Sequence, residues 1–109
     1  MNFNAYKYEL FLKLSNSKSD EVKHQFDTQE IDVDIHLNNF RWTPLQLAAY
    51  KGNMDLVNYF LNKGANKDYR NASGFNAQML AESKGFQEVS VFIERFISFE
   101  VEVHPCIED

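Results

Sequence analysis

The chain has 109 residues, 44% of them hydrophobic and 15% aromatic, which is enough for one modest core closed without disulfides or metal and makes a single domain the expectation. A formal net charge of −5 with a pI near 5.1 argues against nucleic acid as the partner, because nucleic-acid binders carry a basic stripe and none is visible; a basic protein fits that charge more easily. Cys106 is the one cysteine, the first fourteen residues lack an uninterrupted apolar signal core, and no apolar run approaches the roughly 18 residues of a membrane span. A monomer in a reducing, cytoplasmic setting is therefore expected, without membrane contact.

At the N-terminal end Leu10, Phe11, Leu12 and Leu14 predict a short apolar helix, and the polar break from Asn16 to Ser19 ends it. Asp20-Glu21-Val22 opens a second helix. The clearest signal follows in WTPLQLAAYKGNMDLVNYFLNKGAN, from Trp42 to Asn66. Thr43 is placed to cap a helix, Pro44 suits its first turn, and Gly52-Asn53 breaks it. A further helix carries Met54, Leu56, Val57, Phe60 and Leu61 on one face, until Gly64 stops it. Ala48 and Ala49 leave room for the two helices to pack closely.

The pattern recurs. Adding 33 carries Gly52 onto Gly85, Leu47 onto Leu80, Ala48 onto Ala81, Asp55 onto Glu88, Leu56 onto Val89 and Phe60 onto Ile93. Subtracting 34 carries Phe60 onto Phe26, Asn66 onto Asp32 and Asp68 onto Asp34. In the last copy Asn76-Ala77-Gln78-Met79 replaces Thr-Pro-Leu-Gln, so its first helix is expected to start less crisply, with Gln78 on a more solvated outer face. The turns are expected at Asp34 to Arg41 and Asp68 to Gly74. Asn71-Ala72-Ser73-Gly74 has the glycine such a turn favours, whereas Arg41 stands at that position in the earlier one and Leu37 is one residue too many. The earlier turn is expected to be distorted or rebuilt around its aromatic neighbours. Beyond Phe96, Phe99, Val101 and Val103 alternate with Glu100, Glu102 and His104, which predicts one extended strand ended by Pro105. Either it folds back with Phe96 and Ile97 over the end of the third copy, or it offers an edge to a partner or a second copy.

TPLQLAA, the Gly-Asn break, the Leu-Val-x-x-Phe-Leu run and Gly-Ala-Asn together closely resemble an ankyrin repeat. The resemblance implies an all-α ankyrin-repeat solenoid of stacked helix-turn-helix units with projecting turns and an extended C-terminal tail. The units are an N-terminal capping repeat at 5–34, a central repeat at 35–67, a C-terminal repeat at 68–97 and the tail at 98–109. The first copy lacks the signature and both glycines, with Lys18 and Glu30 in their places, as suits a terminal repeat that shows a polar face to water.

Chemistry is sparse. His104, Cys106 and Glu108 lie close in sequence, but zinc needs a second ligand pair and there is no other cysteine. His24 and His36 have no triad partners nearby, Glu82, Glu88 and Glu94 do not pair on one helix face, and no glycine-rich phosphate loop occurs. Neither an enzyme nor a cofactor or metal site is expected.

The resemblance also implies which residues stacking leaves free: His36, Asn39, Phe40, Trp42, Tyr50 and Lys51 in the second repeat, and Arg70, Ala72, Ser73, Phe75, Ser83 and Lys84 in the third. Phe40, Trp42, Tyr50 and Phe75 are then an aromatic group on the concave side, flanked by Arg41, Lys51, Arg70 and Lys84. Trp, Tyr and Arg carry binding energy at protein interfaces out of proportion to their number. The simpler alternative is that Phe40 and Trp42 pack on each other to fill an irregular turn. The expected function is protein binding through this surface; the alternative is a small acidic inhibitor or immunity protein that neutralises a basic enzyme or toxin.

Overall fold

The computed structural model describes residues 3–96, with side chains from residue 7 onward. Its six helices are α1 (Phe3–Ser15), α2 (Ser19–Thr28), α3 (Pro44–Tyr50), α4 (Met54–Asn62), α5 (Ala77–Ser83) and α6 (Gln87–Arg95). Successive helices pair, and the pairs stack so that α1, α3 and α5 form an inner layer while α2, α4 and α6 form an outer one. No strand occurs among the described residues. The expected strand around Phe99, Val101 and Val103 lies outside them.

The apolar stripes meet between the layers. Leu45, Leu47, Ala48, Leu56, Val57, Phe60, Ala81, Val89 and Ile93 belong to one continuous buried cluster that reaches from Leu10 and Leu14 in α1 to α6. Leu80 is also buried, beside that cluster. Ala48, Ala49 and Ala81 are almost fully enclosed, and their small side chains let the inner helices approach. In α1 the buried pair Leu10 and Leu14 is one turn apart, while Leu12 points outward at 40% exposure. The thirteen-residue helix is longer than its four clustered apolar residues suggest.

Equivalent positions of neighbouring repeats touch one another. Phe26 and Phe60 meet edge to face at 5.1 Å, His36 stacks on Tyr69 at 5.4 Å, and Asn53 Nδ2 donates to Ser19 Oγ at 2.9 Å. The fold is thus held by the same contact made again one repeat later.

Caps set the helix starts. Thr43 and Gln46 form a reciprocal capping box at α3, and Asn53 accepts from the Leu56 N–H at α4. As expected, α5 begins less crisply than α3, with a side-chain cap but neither the reciprocal bond nor the proline. Asn76 Oδ1 accepts from the Met79 N–H at 2.9 Å, so an asparagine does the work of the missing threonine. Gln78 is half-exposed, which agrees with a more solvated terminal repeat. Lys67 closes the far end of α6, its Nζ donating to the carbonyls of Ile93, Glu94 and Phe96 at 3.0, 3.1 and 2.8 Å. An ammonium at a helix C-terminus also offsets the partial negative charge there.

The turn at Arg41 corrects an expectation, because its tip is not distorted. Asn38 Oδ1 accepts from the N–H groups of Phe40 and Trp42, and Asn71 Oδ1 accepts in the same way from Ser73 and Phe75. Arg41 adopts φ +63° where Gly74 has +89°. The asparagine anchor holds the loop, and arginine accepts a left-handed backbone that costs about 1–2 kcal/mol for a residue with a Cβ. The extra residue is absorbed at the base, where the buried Leu37 donates its N–H to the Trp42 carbonyl at 2.7 Å. The Ala72 N–H donates to the Phe40 carbonyl at 2.8 Å, tying the two turns together.

Leu56 is fully buried, so Leu56→Ala is expected to cost about 2–5 kcal/mol, a large share of the stability of a domain this small. Urea unfolding measures it. Arg41→Gly is expected to stabilise the fold by about 1 kcal/mol through relief of the positive φ, read as a higher urea midpoint at unchanged slope.

Candidate partner-binding groove

Trp42 lies just before the Thr43 cap of α3 and Tyr50 ends the helix. Their rings meet edge to face at 5.2 Å, a favoured aromatic geometry. Together with Phe40, Lys51, Phe11 of α1 and a floor of Leu47 they line an open groove of about 260 Å³. A neighbouring hollow of about 450 Å³ shares Phe11 and Asn38 and continues past Tyr8 and His36. Phe40 is 61% exposed and Tyr8 62%, so the band keeps large apolar side chains in water. Trp42 packs on Tyr50; the pairing of Phe40 with Trp42 that burial alone predicts is not the arrangement seen.

The cations divide. Lys84, from the end of α5, places Nζ 5.0 Å from the Tyr50 ring centroid, a cation–π contact that joins the third repeat to the groove. Lys51 lies on the groove wall, and Arg41 stands exposed at the turn tip. Arg70 is engaged elsewhere, with Nη1 donating to the Gly74 carbonyl at 3.1 Å and lying 3.8 Å from Met79 Sδ. Phe75 is 42% exposed but does not line the groove. The geometry therefore gathers Phe40, Trp42, Tyr50, Lys51 and Lys84, and leaves Arg41, Arg70 and Phe75 along the adjoining turns.

Tyr8, Phe11 and Tyr69 lie outside the residues read from sequence as free for a partner, whereas His36, which stacks on Tyr69, is among them. The available signal was aromatic spacing in α1, where Tyr8 and Phe11 are three apart on one face. Reading the first repeat as a cap directed attention away from it.

The outer layer differs in kind. Lys23 pairs with Asp55 at 2.7 Å and Lys63 with Asp27 at 3.8 Å, while in the inner layer Lys13 pairs with Glu9 within α1 at 3.6 Å. Tyr59 sits among these charges, its hydroxyl donating to Asp27, with Lys23 and Lys63 5.8 and 5.4 Å from its ring centroid. Burial, then the hydrogen bond to the carboxylate and its negative charge, push the Tyr59 hydroxyl well above the usual tyrosine range. A hollow of about 480 Å³ between α1 and α2 is lined by polar residues such as Glu9, Asp20, Glu21 and His24, and has no aromatic anchor. No group of His, Cys, Asp and Glu among the described residues is placed to hold a metal; His104, Cys106 and Glu108 lie outside them. None of the described helices is long and apolar enough to cross a membrane.

Paired antiparallel helices stacked in register, with capped turns projecting from one edge, define a helical repeat protein. The chain belongs to the family of ankyrin repeats (3 copies), which it matches over residues 10–99. Ankyrin repeats are protein-interaction modules and are generally non-enzymatic. Among curated proteins it is 46% identical over 44 residues to the phosphocholine transferase AnkX of Legionella pneumophila, a match covering 40% of this chain and 5% of that protein. Among solved structures it is similar to a chain of the Bd0816 predatory endopeptidase of Bdellovibrio bacteriovorus in complex with immunity protein Bd3460. That match has a TM-score of 0.73 and 26% identity, over 79% of this chain and 44% of the other. The chain thus spans less than half the length of either relative.

Tyr59 ordinarily ionises near pH 10.0. With the folded value above that, its contribution is fully present below pH 10 and declines as pH rises, because the unfolded chain releases the proton first. Tyr59→Phe should therefore unfold with a shallower loss of stability above pH 10 than the wild type. Urea midpoints from pH 8 to 11 measure the difference.

Proposed function

We propose that this chain is a non-enzymatic module that holds a partner protein against the groove formed by Phe40, Trp42, Tyr50, Lys51 and Lys84, with Arg41, Arg70 and Phe75 meeting the same partner along the turns. The observation that carries this reading is an aromatic group left in water on a fold with a well-filled core: Phe40 is 61% exposed, beside an edge-to-face Trp42–Tyr50 pair in an open groove. Monomers rarely keep large apolar side chains together at the surface without use. The groove is also preformed. Its tryptophan is braced by Tyr50, and its turn by the Asn38 hydrogen bonds, so little ordering is needed on binding. A cytoplasmic monomer is the form in which we expect the module to act.

A second reading, that of a small inhibitor or immunity protein with one tightly bound enzyme as its target, draws support from the likeness to a chain of an endopeptidase–immunity protein complex. The two differ in number of partners and in consequence. An adaptor joins several proteins and leaves their activity alone, whereas an inhibitor has one target and abolishes its turnover.

A photoreactive benzoylphenylalanine in place of Phe40 is expected to cross-link to the partner in the native cell, and the same residue in place of the exposed Glu94 of α6 is not. With that partner purified, Phe40→Ala should weaken binding by about 2 kcal/mol or more while the melting temperature stays within a degree or two. Cross-linking from position 94 alone places the interface on the outer layer and refutes the groove.

A further inference from the structure

Two stretches of this chain carry cations without acids. From His36 through Asn53, which covers the first projecting turn and the whole of α3, there is no Asp or Glu, while Arg41 and Lys51 are present. From Tyr69 through Ala81 there is again no acid, while Arg70 is present; Glu82 and Lys84 follow at the end of α5. The three ion pairs among the described residues all involve Lys13, Lys23 or Lys63 with acids of α1, α2 and α4. None neutralises Lys51, Lys84 or Arg41. A chain of net charge −5 therefore presents a cationic groove on an acidic body.

We infer that the groove takes an acidic peptide segment of its partner, one that carries an aromatic or large aliphatic side chain beside carboxylates. This rests on the reading of the groove as the binding surface and reverses the expectation of a basic partner that overall charge suggests. Two observations set the polarity. No carboxylate lines the groove, and Glu82 of α5, the acid nearest Lys84 in sequence, accepts from Ser90 Oγ of α6 at 3.1 Å, so a lysine or arginine entering the groove meets Lys51 and Lys84 with no counter-charge in its lining. The Tyr50 ring, the natural seat for a partner cation, already carries Lys84 at 5.0 Å. A carboxylate lying between Lys51 and Lys84 is attracted by both, and an apolar side chain beside it covers Phe40 and the floor at Leu47. Single-stranded nucleic acid shares the requirement for cations and aromatic faces, but the acidic body repels an extended polyanion, whereas a short acidic segment stays inside the groove.

Trp42 is the single tryptophan of the chain and lines the groove, so its fluorescence reports occupancy directly. The full chain is titrated with three probes of equal length: a decapeptide of alternating Glu and Phe, its counterpart of alternating Lys and Phe, and single-stranded dT10. The acidic peptide is expected to shift Trp42 emission saturably, with an affinity at least about tenfold above that of the basic peptide and a loss as salt rises from 50 to about 500 mM. The double substitution Lys51→Glu with Lys84→Glu should reverse the preference between the peptides, and Lys51→Gln with Lys84→Gln should abolish it while keeping the wild-type melting temperature. Equal response to both peptides, with Phe40→Ala weakening both, overturns the inferred polarity and leaves the groove as a binding surface. No response of Trp42 to any peptide overturns the groove itself. Tighter binding of dT10 than of the acidic peptide overturns the assignment to a protein segment.

Discussion

Gln46 is the side chain on which the repeat stack turns. It is 1% exposed, and its amide is fully used: Nε2 donates to the carbonyls of Tyr69 and Phe75 at 3.0 and 3.1 Å, while Oε1 accepts from the Thr43 N–H at 3.4 Å and from Asn71 Nδ2 at 3.3 Å. One buried residue thus completes the cap of α3 and hooks the base of the next turn to it. Each partner left orphaned in that dry setting costs about 1–3 kcal/mol. The second projecting turn is therefore placed by the central repeat, and with it Arg70 and Phe75. Buried polar groups satisfied in this way specify one arrangement where apolar contacts alone tolerate several.

Features that arise within one repeat were legible from the residues. The stripe from Leu56 to Leu61, the Thr43-Pro44 start and the breaks at Gly52 and Gly64 each act over three or four residues, so the sequence displays them without help from the fold. Gly52 is the instructive exception. Its positive φ of +70° is local, but a Cβ there would also stand 2.7 Å from the Phe86 ring of the next repeat, and that second reason is tertiary. The same divide separates the groove from its reading. Trp42, Tyr50 and Lys51 lie within ten residues, at the two ends of α3, while Phe11 and Tyr8 join them only through the packing of α1 on α3. Lys67 reaches its three carbonyls across 26 to 29 residues, and no local pattern announces that. At Arg41 the backbone preference of one residue is a poor guide, because Asn38 holds the loop through the N–H groups of Phe40 and Trp42.

The placement of Arg41 also shows a choice between stability and surface. A glycine there, as at Gly74, removes the strain, yet this chain keeps an exposed cation at φ +63° on the turn that carries Phe40. Strain maintained at an exposed tip points to use of the side chain, since nothing in the core depends on it. A guanidinium beside an exposed ring is also the composition at which interface energy concentrates.

Net charge and local charge answer different questions, and the second decides what a surface can hold. At physiological ionic strength fields between exposed charges decay over about 8 Å. The acids of the outer layer therefore act mainly on the approach of a partner, while Lys51 and Lys84 act on the segment in contact. A partner with a basic body and an acidic docking segment satisfies both. Its body is drawn to the chain as a whole, and its segment is selected by the groove. That combination accommodates the inhibitor reading without requiring the acidic outer layer to be the contact surface. Under that proposal the origins of rate and residence also separate: long-range attraction would govern how often partners meet, whereas Trp42, Tyr50 and the cations beside them would govern how long they stay together.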